Sequence, residues 1–462
     1  FFKKCPFREE GGNHSTLMKT YEEKLKSFWL VLLALGLIAA FSTSAMAADV
    51  KVSGEFFVAG AYLDKTRLDK NTSTSDLSTA LYYQRLRLKV DFIVSPGLTL
   101  TTRADILDRQ WGTRTTASVQ PYDSAGTRAE NENIAIDWAY VTYVSPIGII
   151  AAGAMNDYAW GTVFGDRSKP SLKITWTGIF GPVAVGLQTA QESEGSRSAV
   201  NTAGIQDKDA SSIIAFVKYS FKAGSAGYLF RWNRNASNKN TLGLTVNTFS
   251  HCPYFQVKLG PVALEGEANY THGSYDWEGS YTAKIDSYAA YLNANADFGI
   301  AYVGGTFAYL GGQINPGESS LHTRKTGILS GGIDWNPMLI LWNYERSYQF
   351  GALSGNTTDG VGSNPNGMQN AWFFQVKGGV KPVEKLDINL AVSYANAVVK
   401  PANHLYNDYG WELDATATYK ITNNLSYMLG AGYLFTGKYF KTTSDATELQ
   451  NDYMLINKLT LT

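Results

Sequence analysis

Apolar and polar positions alternate with a period of two along most of the chain after residue 50. The clearest example is a hairpin near the C-terminus, whose arms cover 409–420 and 425–435. Side chains on a β-strand point to opposite faces in turn, so each arm is predicted to have one apolar and one polar face. The apolar face of the first arm carries Trp411, Leu413, Ala415, Ala417 and Tyr419. Its polar face carries Glu412, Asp414, Thr416, Thr418 and Lys420.

Aromatic residues mark both ends of this apolar row. Trp411 and Tyr419 are eight residues apart, which corresponds to about 20 Å along a membrane normal for a strand tilted by about 40°. An apolar outer face with aromatic girdles and a polar inner face is typical of a transmembrane β-barrel. A soluble β-sandwich hairpin would also alternate, with its apolar face in the core, so one hairpin leaves both folds open.

The same alternation recurs in many other segments, and its repetition favours the barrel. Apolar residues at 86, 88, 90 and 92 alternate with Arg85, Arg87, Lys89 and Asp91. Sandwich strands seldom keep this period for so long with ionisable residues on the second face. Further rows of this kind cover 134–140, 172–176, 262–270, 372–380 and 386–394.

Two segments depart from the pattern. Within 241–260 the apolar parity changes. We expect a bulge or break at His251-Cys252-Pro253, because proline cannot donate a hydrogen bond to a neighbouring strand. Residues 148–160 are also poorly patterned.

Short turns and long polar connections follow one another in turn, as at the two ends of an outer-membrane barrel. Nine short turns imply roughly 20 strands, or 18 if one doubtful pair is merged. We therefore expect an all-β, antiparallel, up-and-down transmembrane barrel of about 18–20 strands. The turns lie at 95–97, 145–148, 180–182, 222–224, 259–261, 297–299, 335–337, 381–384 and 422–424. The long connections include 64–80, 112–131, 192–210, 349–368 and 436–451.

The N-terminal region has the features of a secretory signal. Three lysines precede an apolar run over 28–41, and small residues follow up to Ala47. This order predicts a signal peptide over 18–47, and the run is too short to span a bilayer as a helix. Residues 1–17 precede the first methionine and are expected to be a non-native upstream segment, which leaves the barrel over 48–462. The outward row of the last strand predicts an aromatic residue directly after 462.

Composition agrees with one large barrel. The 462 residues include 44 Gly, 28 Tyr, 22 Phe and 11 Trp but only 13 Pro. The formal net charge is zero, which implies no bulk attraction to nucleic acid. Cys252 is the only cysteine beyond the leader, so the mature chain is expected to have no internal disulfide and no paired-cysteine metal site.

Motifs for catalysis are weak. None of the histidines lies in an H-E-x-x-H spacing, and no G-x-S-x-G elbow or D-x-D-x-D-G calcium loop occurs. We therefore expect neither enzymatic activity nor a cofactor or metal.

Charges on the predicted inward faces are unevenly distributed between the two halves of the chain. In a closed barrel the halves face each other, and a basic wall opposite an acidic wall would orient dipolar solutes. Local pairing between neighbouring strands is the alternative. The basic positions of the first half are Arg85, Arg87, Lys89, Arg103, Lys173, Lys218 and Arg231. The acidic positions of the second half are Glu265, Glu267, Asp297, Asp334, Glu345, Asp387, Glu412 and Asp414.

Several short motifs resemble the alginate-export family and related porin-like proteins of Gram-negative bacteria. They are the final hairpin (Trp411-Glu412-Leu413-Asp414 and Asn424-Leu425-Ser426-Tyr427), Arg85-Leu86-Arg87-Leu88 and Thr241-Leu242-Gly243-Leu244. The resemblance implies a monomeric barrel of about this size with a charged lumen that could pass an anionic saccharide. The arginine-rich selectivity pathway of that family has no residue-by-residue match here.

Three functions remain open at this point. The first is a passive or mildly selective porin in a Gram-negative outer membrane. The second is a dedicated channel for an anionic polysaccharide, and the third is a non-transport barrel that acts as an adhesin or a structural protein. The expected partners are outer-membrane lipid, the barrel assembly machinery, small solutes or saccharides and further copies of the chain, but not nucleic acid.

Overall fold

A computed structural model describes most of the chain. The described residues are 49–70, 77–112, 134–195, 208–279, 282–312, 325–326, 331–351, 353 and 367–462. The predicted leader and upstream segment lie outside them. Eighteen strands of ten to seventeen residues dominate the described part. They are β1 Asp49–Leu63, β2 Thr79–Ser95, β3 Leu98–Gln110, β4 Ile134–Ser145, β5 Gly148–Asp157, β6 Lys169–Phe180, β7 Val183–Ser193, β8 Ala210–Phe221, β9 Gly224–Asn235, β10 Leu244–Leu259, β11 Val262–Trp277, β12 Thr282–Asp297, β13 Ala301–Leu310, β14 Ala371–Val383, β15 Leu386–Asn396, β16 Asp408–Lys420, β17 Leu425–Thr436 and β18 Asp452–Leu461.

The strands form one closed antiparallel barrel. Each strand pairs with its neighbours in sequence, and β1 pairs with β18, from Leu63 opposite Met454 to Phe56 opposite Leu461. Closure leaves no long strand with an unpaired edge. The two-residue strand Lys325–Thr326 pairs in parallel with β12. The predicted all-β, up-and-down barrel is therefore confirmed, with 18 strands.

Eight of the nine predicted short turns join consecutive strands. The ninth, at 335–337, is wrong, because these residues belong to the long connection between β13 and β14. Nothing in the local sequence Trp335-Asn336-Pro337 distinguishes a turn at the rim from a turn inside the lumen, since both need the same backbone angles. Removing this turn reduces the upper estimate of 20 strands to 18.

The two faces of the strands differ as the alternation predicts. In β16 the exposed fractions of Trp411 and Tyr419 are 50% and 45%, whereas Glu412 is 1% exposed. Trp411 lies opposite Phe435 of β17, and Tyr419 lies opposite Tyr427, so aromatic pairs mark both ends of the outward row. The outer surface is thus an apolar belt between two aromatic girdles.

Of the bulge or break predicted in β10, the break in pairing is present but no bulge forms. The strand keeps one register with β11 on both sides of the proline, with His251 opposite Tyr270 and Tyr254 opposite Glu267. Pairing with β11 is interrupted only at Cys252 and Pro253, because proline lacks the N–H that the ladder would use. The poorly patterned residues 148–160 consist of β5 and the start of a segment that leaves the barrel wall.

Two segments lie inside the barrel rather than in its wall. The first covers 158–168, between β5 and β6, and contains the short 3₁₀ helix Val163–Gly165. The second covers 331–351, between β13 and β14, and contains the helix Tyr344–Phe350. We call them the β5–β6 segment and the β13–β14 segment. Among the described residues, no helix has the length and apolar character needed to cross a bilayer.

The inner segments form a small hydrophobic core with the strands around them. Trp335, Ile340 and Leu341 of the β13–β14 segment are almost completely buried against inward side chains that include Phe373 and Leu434. The apolar rows on the outside do not take part in this core. The lumen is therefore partly filled by the chain itself.

Candidate functional site in the barrel lumen

Inward side chains of the wall hold the β13–β14 segment, and Glu412 is prominent among them. The backbone N–H groups of Ile340 and Leu341 donate to the two carboxylate oxygens of Glu412, at 2.6 and 2.9 Å. The side-chain amide of Gln375 also donates to the carbonyl of Pro337, at 2.6 Å. Two neighbouring N–H groups of the segment share this one buried acceptor, so Glu412 is a positioning residue for the segment.

A second carboxylate fixes the β5–β6 segment. Glu267 accepts from the backbone N–H of Thr162 at 2.9 Å and from its hydroxyl at 2.8 Å. The two inner segments then meet, because the N–H of Gly332 donates to the carbonyl of Phe164 at 2.6 Å. The Phe164 ring stacks on Tyr291 of the wall, with centroids 5.0 Å apart. The segments therefore support each other across the lumen.

A cavity of about 630 Å³ lies between these segments and the wall formed by β2–β4. Five basic and five acidic side chains line it, so it is strongly charged but balanced. The basic residues are Arg85, Arg87, Arg103, Arg167 and Lys169, and the acidic ones are Asp105, Asp108, Asp137, Asp334 and Glu345. We call this cavity the charged constriction.

Most basic residues of the first strands pair with nearby carboxylates. Arg87 binds both carboxylate oxygens of Asp105, each at 2.6 Å. Arg103 pairs with Asp137 of the next strand, and its guanidinium lies 3.6 Å from the centre of the Trp138 ring. Such bidentate and stacked contacts hold the arginines in fixed positions along the wall.

The other two basic residues of β2, Lys89 and Arg85, are held less tightly. Lys89 pairs with Asp91 at 2.9 Å, and Arg85 pairs with Glu55 at 3.3 Å. The structure thus places Arg85, Arg87, Lys89 and Arg103 on the neighbouring strands β2 and β3. Each of them pairs with a nearby carboxylate.

The other three basic positions lie farther round the wall. Lys173 and Arg231 share one carboxylate, Asp157, at 3.1 and 2.8 Å. Lys218 lies on β8 opposite Gly227 of β9 and forms no ion pair within the described residues. These residues lie apart from the charged constriction.

The acidic positions divide by location. Asp334 and Glu345 were expected on strands, which is wrong, because both lie in the β13–β14 segment. Their sequence neighbourhood alternates weakly, and only tertiary contacts such as the pairing of Glu345 with Lys458 at 3.2 Å place them inside the lumen. Among the strand residues, Glu267 and Glu412 hold the inner segments.

The remaining acidic residues lie at different positions along the barrel axis. Glu265 accepts from Tyr291 at 2.9 Å and, with Asp414, lines a second lumen cavity of about 460 Å³. Asp387 accepts from the hydroxyl of Tyr302 at 2.8 Å. Asp297 pairs with an exposed lysine beside a short turn, far from the inner segments.

Burial shifts the pKa of several groups in the inner segments, among them Asp166 and Arg346. Burial raises the pKa of Asp166 to about 7, and the carboxylates of Glu267 and Asp334 add to the rise, while the N–H of Trp160 opposes it. Burial lowers the pKa of Arg346 to about 10. The Arg346 guanidinium donates to the carbonyl of Gly351 at 3.1 Å.

Sequence reasoning missed the inner segments as parts of the site. One signal was present, because Met338-Leu339-Ile340-Leu341-Trp342 is a continuous apolar run without alternation. A run of this kind is typical of a segment buried on all sides. The 3₁₀ helix at Val163–Gly165 has no comparable signal.

Comparisons with solved structures agree with this architecture. OccK9 (OpdG) of Pseudomonas aeruginosa is 11% identical, with a TM-score of 0.50 over 89% of this chain and 98% of that one. An anion-selective porin from Comamonas acidovorans is 12% identical, with a TM-score of 0.44 over 90% of this chain and 100% of that one. The outer membrane channel DcaP of Acinetobacter baumannii is 14% identical, with a TM-score of 0.39 over 90% and 99% of the two chains.

At such low identity the likeness extends to the fold alone. No protein-family model and no curated protein sequence matches this chain. The chain thus has the closed β-barrel fold of outer-membrane porins, with a narrowed and charged lumen. The resemblance to the alginate-export family finds no support in these comparisons.

Proposed function

We propose that this protein is a channel in a Gram-negative outer membrane for passive, mildly selective diffusion of small hydrophilic solutes. One observation carries the proposal: a closed barrel with an apolar belt outside encloses a polar lumen that inner segments narrow to a charged constriction of about 630 Å³. Charged side chains facing a lumen are costly unless water or solutes solvate them. A lumen of this kind suits ions and small polar molecules.

The proposed orientation follows the usual arrangement of such barrels, with short turns in the periplasm and long connections outside. The proposed partners are outer-membrane lipid, the machinery that assembles barrels, and the solutes themselves. Association into homo-oligomers belongs to the same proposal. We propose no catalytic role, since His251 and His272 stack on each other on the outward face, with ring centres 5.4 Å apart.

An anionic polysaccharide is the less favoured solute. A polyanion requires a pathway with excess positive charge, whereas the five basic side chains of the constriction are matched by five carboxylates. Arg87 and Arg103 already bind Asp105 and Asp137. Local pairing thus favours small solutes of either sign over a long acidic chain.

Planar-bilayer recording on the refolded mature chain tests the proposal. We expect discrete conductance steps with weak preference between small cations and anions. Swelling of liposomes in small sugars and amino acids should accompany them, with protein-free liposomes as the control. Absence of both conductance and swelling in a correctly folded barrel would contradict the channel function and favour the adhesin or structural alternative.

A further inference from the structure

A third lumen cavity, of about 400 Å³, lies between the β5–β6 segment and the wall formed by β5–β11. We call it the side pocket. It is separate from the charged constriction, and the two share no lining residue. It lies in the half of the lumen nearer the long connections, since it includes Asp157 at the end of β5 and Asn233 near the end of β9.

One side of the pocket is apolar where the strand pattern predicts a polar surface. Ile214, Phe216 and Leu229 point into the lumen from β8 and β9. Trp160 of the β5–β6 segment lies against them, with its ring centre 5.3 Å from that of Phe216. Its indole N–H donates to the carbonyl of Cys252 at 2.9 Å, which fixes the ring. A rigid aromatic surface inside a wet lumen suits a ligand with an apolar face.

Planar polar side chains form the other side. Asp157 accepts from Lys173, from Gln188 at 2.8 Å and from Arg231 at 2.8 Å. Glu192 accepts from Asn233 at 3.1 Å. These contacts hold several amide and charged groups in fixed positions around one space.

The charge of the pocket disfavours an anion. Its two cations, Lys173 and Arg231, face the carboxylates of Asp157, Glu192 and Glu267. The Arg231 guanidinium also stacks on the ring of Tyr158, 3.7 Å from its centre. Arg231 is therefore engaged both by a carboxylate and by an aromatic ring. No excess positive charge remains to attract a carboxylate or phosphate solute.

Two buried polar atoms in the lining lack hydrogen-bond partners within the described residues. They are the Nε of Arg231, a donor, and the Oδ1 of Asn156, an acceptor. Arg231 is only 9% exposed. A buried polar atom without a partner is costly, and a ligand with hydroxyl groups can supply both kinds of partner after small side-chain shifts.

We propose that the side pocket binds a neutral, ring-shaped polyhydroxy solute, such as a monosaccharide, whose apolar ring face packs on Trp160 while its hydroxyls meet the planar polar side chains. This inference deepens the proposed channel function and rests on it for its physiological meaning. Binding itself does not require conduction, so the two can fail separately.

The test uses the full mature chain refolded in detergent and D-glucose as the probe. Saturation-transfer NMR should detect binding of D-glucose, and the open-chain polyol sorbitol, the anion D-glucuronate and the cation D-glucosamine should bind more weakly. The Trp160→Ala variant should weaken glucose binding about tenfold. Trp160→Phe, which retains a ring, should keep most of the affinity.

Trp176→Ala is the matched control, since the Trp176 indole also donates to a backbone carbonyl at 2.9 Å but lies at a short turn outside the pocket. It should leave glucose binding unchanged.

If Trp160→Ala fails to fold, Asn233→Ala provides a milder change and should weaken binding several-fold. No glucose binding to the folded wild-type chain, preferred binding of glucuronate or glucosamine, or equal effects of Trp160→Ala and Trp176→Ala would each overturn the inference. Conductance without glucose binding would overturn this inference alone.

Discussion

Three buried carboxylates accept hydrogen bonds from backbone N–H groups of connections between strands. Glu267 holds Thr162, Glu412 holds Ile340 and Leu341, and Asp452 accepts from Lys65 at 2.8 Å. Each lies on an inward strand face, where alternation alone predicts a solvated lumen charge. Their shared role shows why single inward charges cannot be equated with solute contacts.

The raised pKa of Asp166 predicts a pH effect on stability. Its folded-state pKa is about 7, above the ordinary value near 4, so the folded chain holds this proton more tightly than the unfolded chain. The stabilisation from this group is complete below about pH 4 and is lost as the pH rises through about 7. Urea unfolding between about pH 4 and about pH 8 should show this loss in the wild type.

The Asp166→Asn variant provides the control, because it keeps an acceptor for the N–H of Trp160, at 2.7 Å in the wild type, without the titrating proton. Its unfolding midpoint should depend less on pH over this interval. An identical pH dependence in both proteins would mean that Asp166 does not titrate in this range.

Single strands carry two different surfaces, and each surface can be tested alone. In β17, Leu429 faces outward opposite Ala417, while its neighbour Met428 faces the lumen opposite Thr418. Leu429 is 54% exposed and lies in the outward row of β17, whose aromatic ends are Tyr427 and Phe435. It is the first position of the apolar belt inside the Tyr427 end.

Leu429→Arg should lower the free energy of unfolding by about 1–3 kcal/mol, because the guanidinium would lie in the hydrocarbon layer between the Tyr427 girdle and the bilayer midplane. The measurement is equilibrium unfolding from lipid vesicles in urea. Met428→Arg places the same charge one residue away on the lumen face and should cost much less. Similar losses for both variants would argue against the assigned faces of β17.

The four basic residues on the lumen side of β2 and β3 support a prediction about ion selectivity. Replacing Arg85, Arg87, Lys89 and Arg103 by Ser removes four cations and leaves their carboxylate partners unpaired. Two of these partners, Asp105 and Asp137, line the constriction. Reversal potentials in a salt gradient should shift toward cation selectivity.

The control replaces Lys218, which lies outside the constriction and forms no ion pair within the described residues. Lys218→Ser should change the reversal potential little. Unchanged selectivity in the fourfold variant would exclude the four replaced residues from the ion pathway.

At the scale of the whole molecule, the barrel encloses its own connections. The β13–β14 segment joins the wall through contacts that are far apart in sequence, such as the hydrogen bond from Ile340 to Glu412, 72 residues later. This segment borders the charged constriction through Asp334 and Glu345. Its position therefore sets the width of the proposed channel.

Glu412→Ala leaves the two N–H groups of Ile340 and Leu341 without their acceptor, which should destabilise the bound position of the segment by about 1–3 kcal/mol. Single-channel recordings should show larger mean conductance and more frequent current fluctuations than in the wild type. Glu412→Gln keeps one acceptor oxygen and should have a smaller effect. Unaltered currents from a folded Glu412→Ala variant would show that the Glu412 contact does not control the channel width.

The amino-acid pattern was enough to predict most strands and their two faces, including the hairpin over 409–435, because alternation with a period of two depends only on neighbouring residues. It also located eight short turns through their Gly, Pro and Asn residues. It did not reveal that 335–337 turns inside the lumen, that β10 passes Pro253 in register, or that Arg87 and Arg103 meet Asp105 and Asp137 across strand pairs.

Those points follow from the folded barrel, because each depends on which distant groups meet once the barrel has closed. A local pattern states which side of a strand is apolar, but the same inward carboxylate can face water, pair with an arginine or hold a backbone segment. Glu412 does the last of these, and the choice is fixed by a partner that approaches it only in the folded chain.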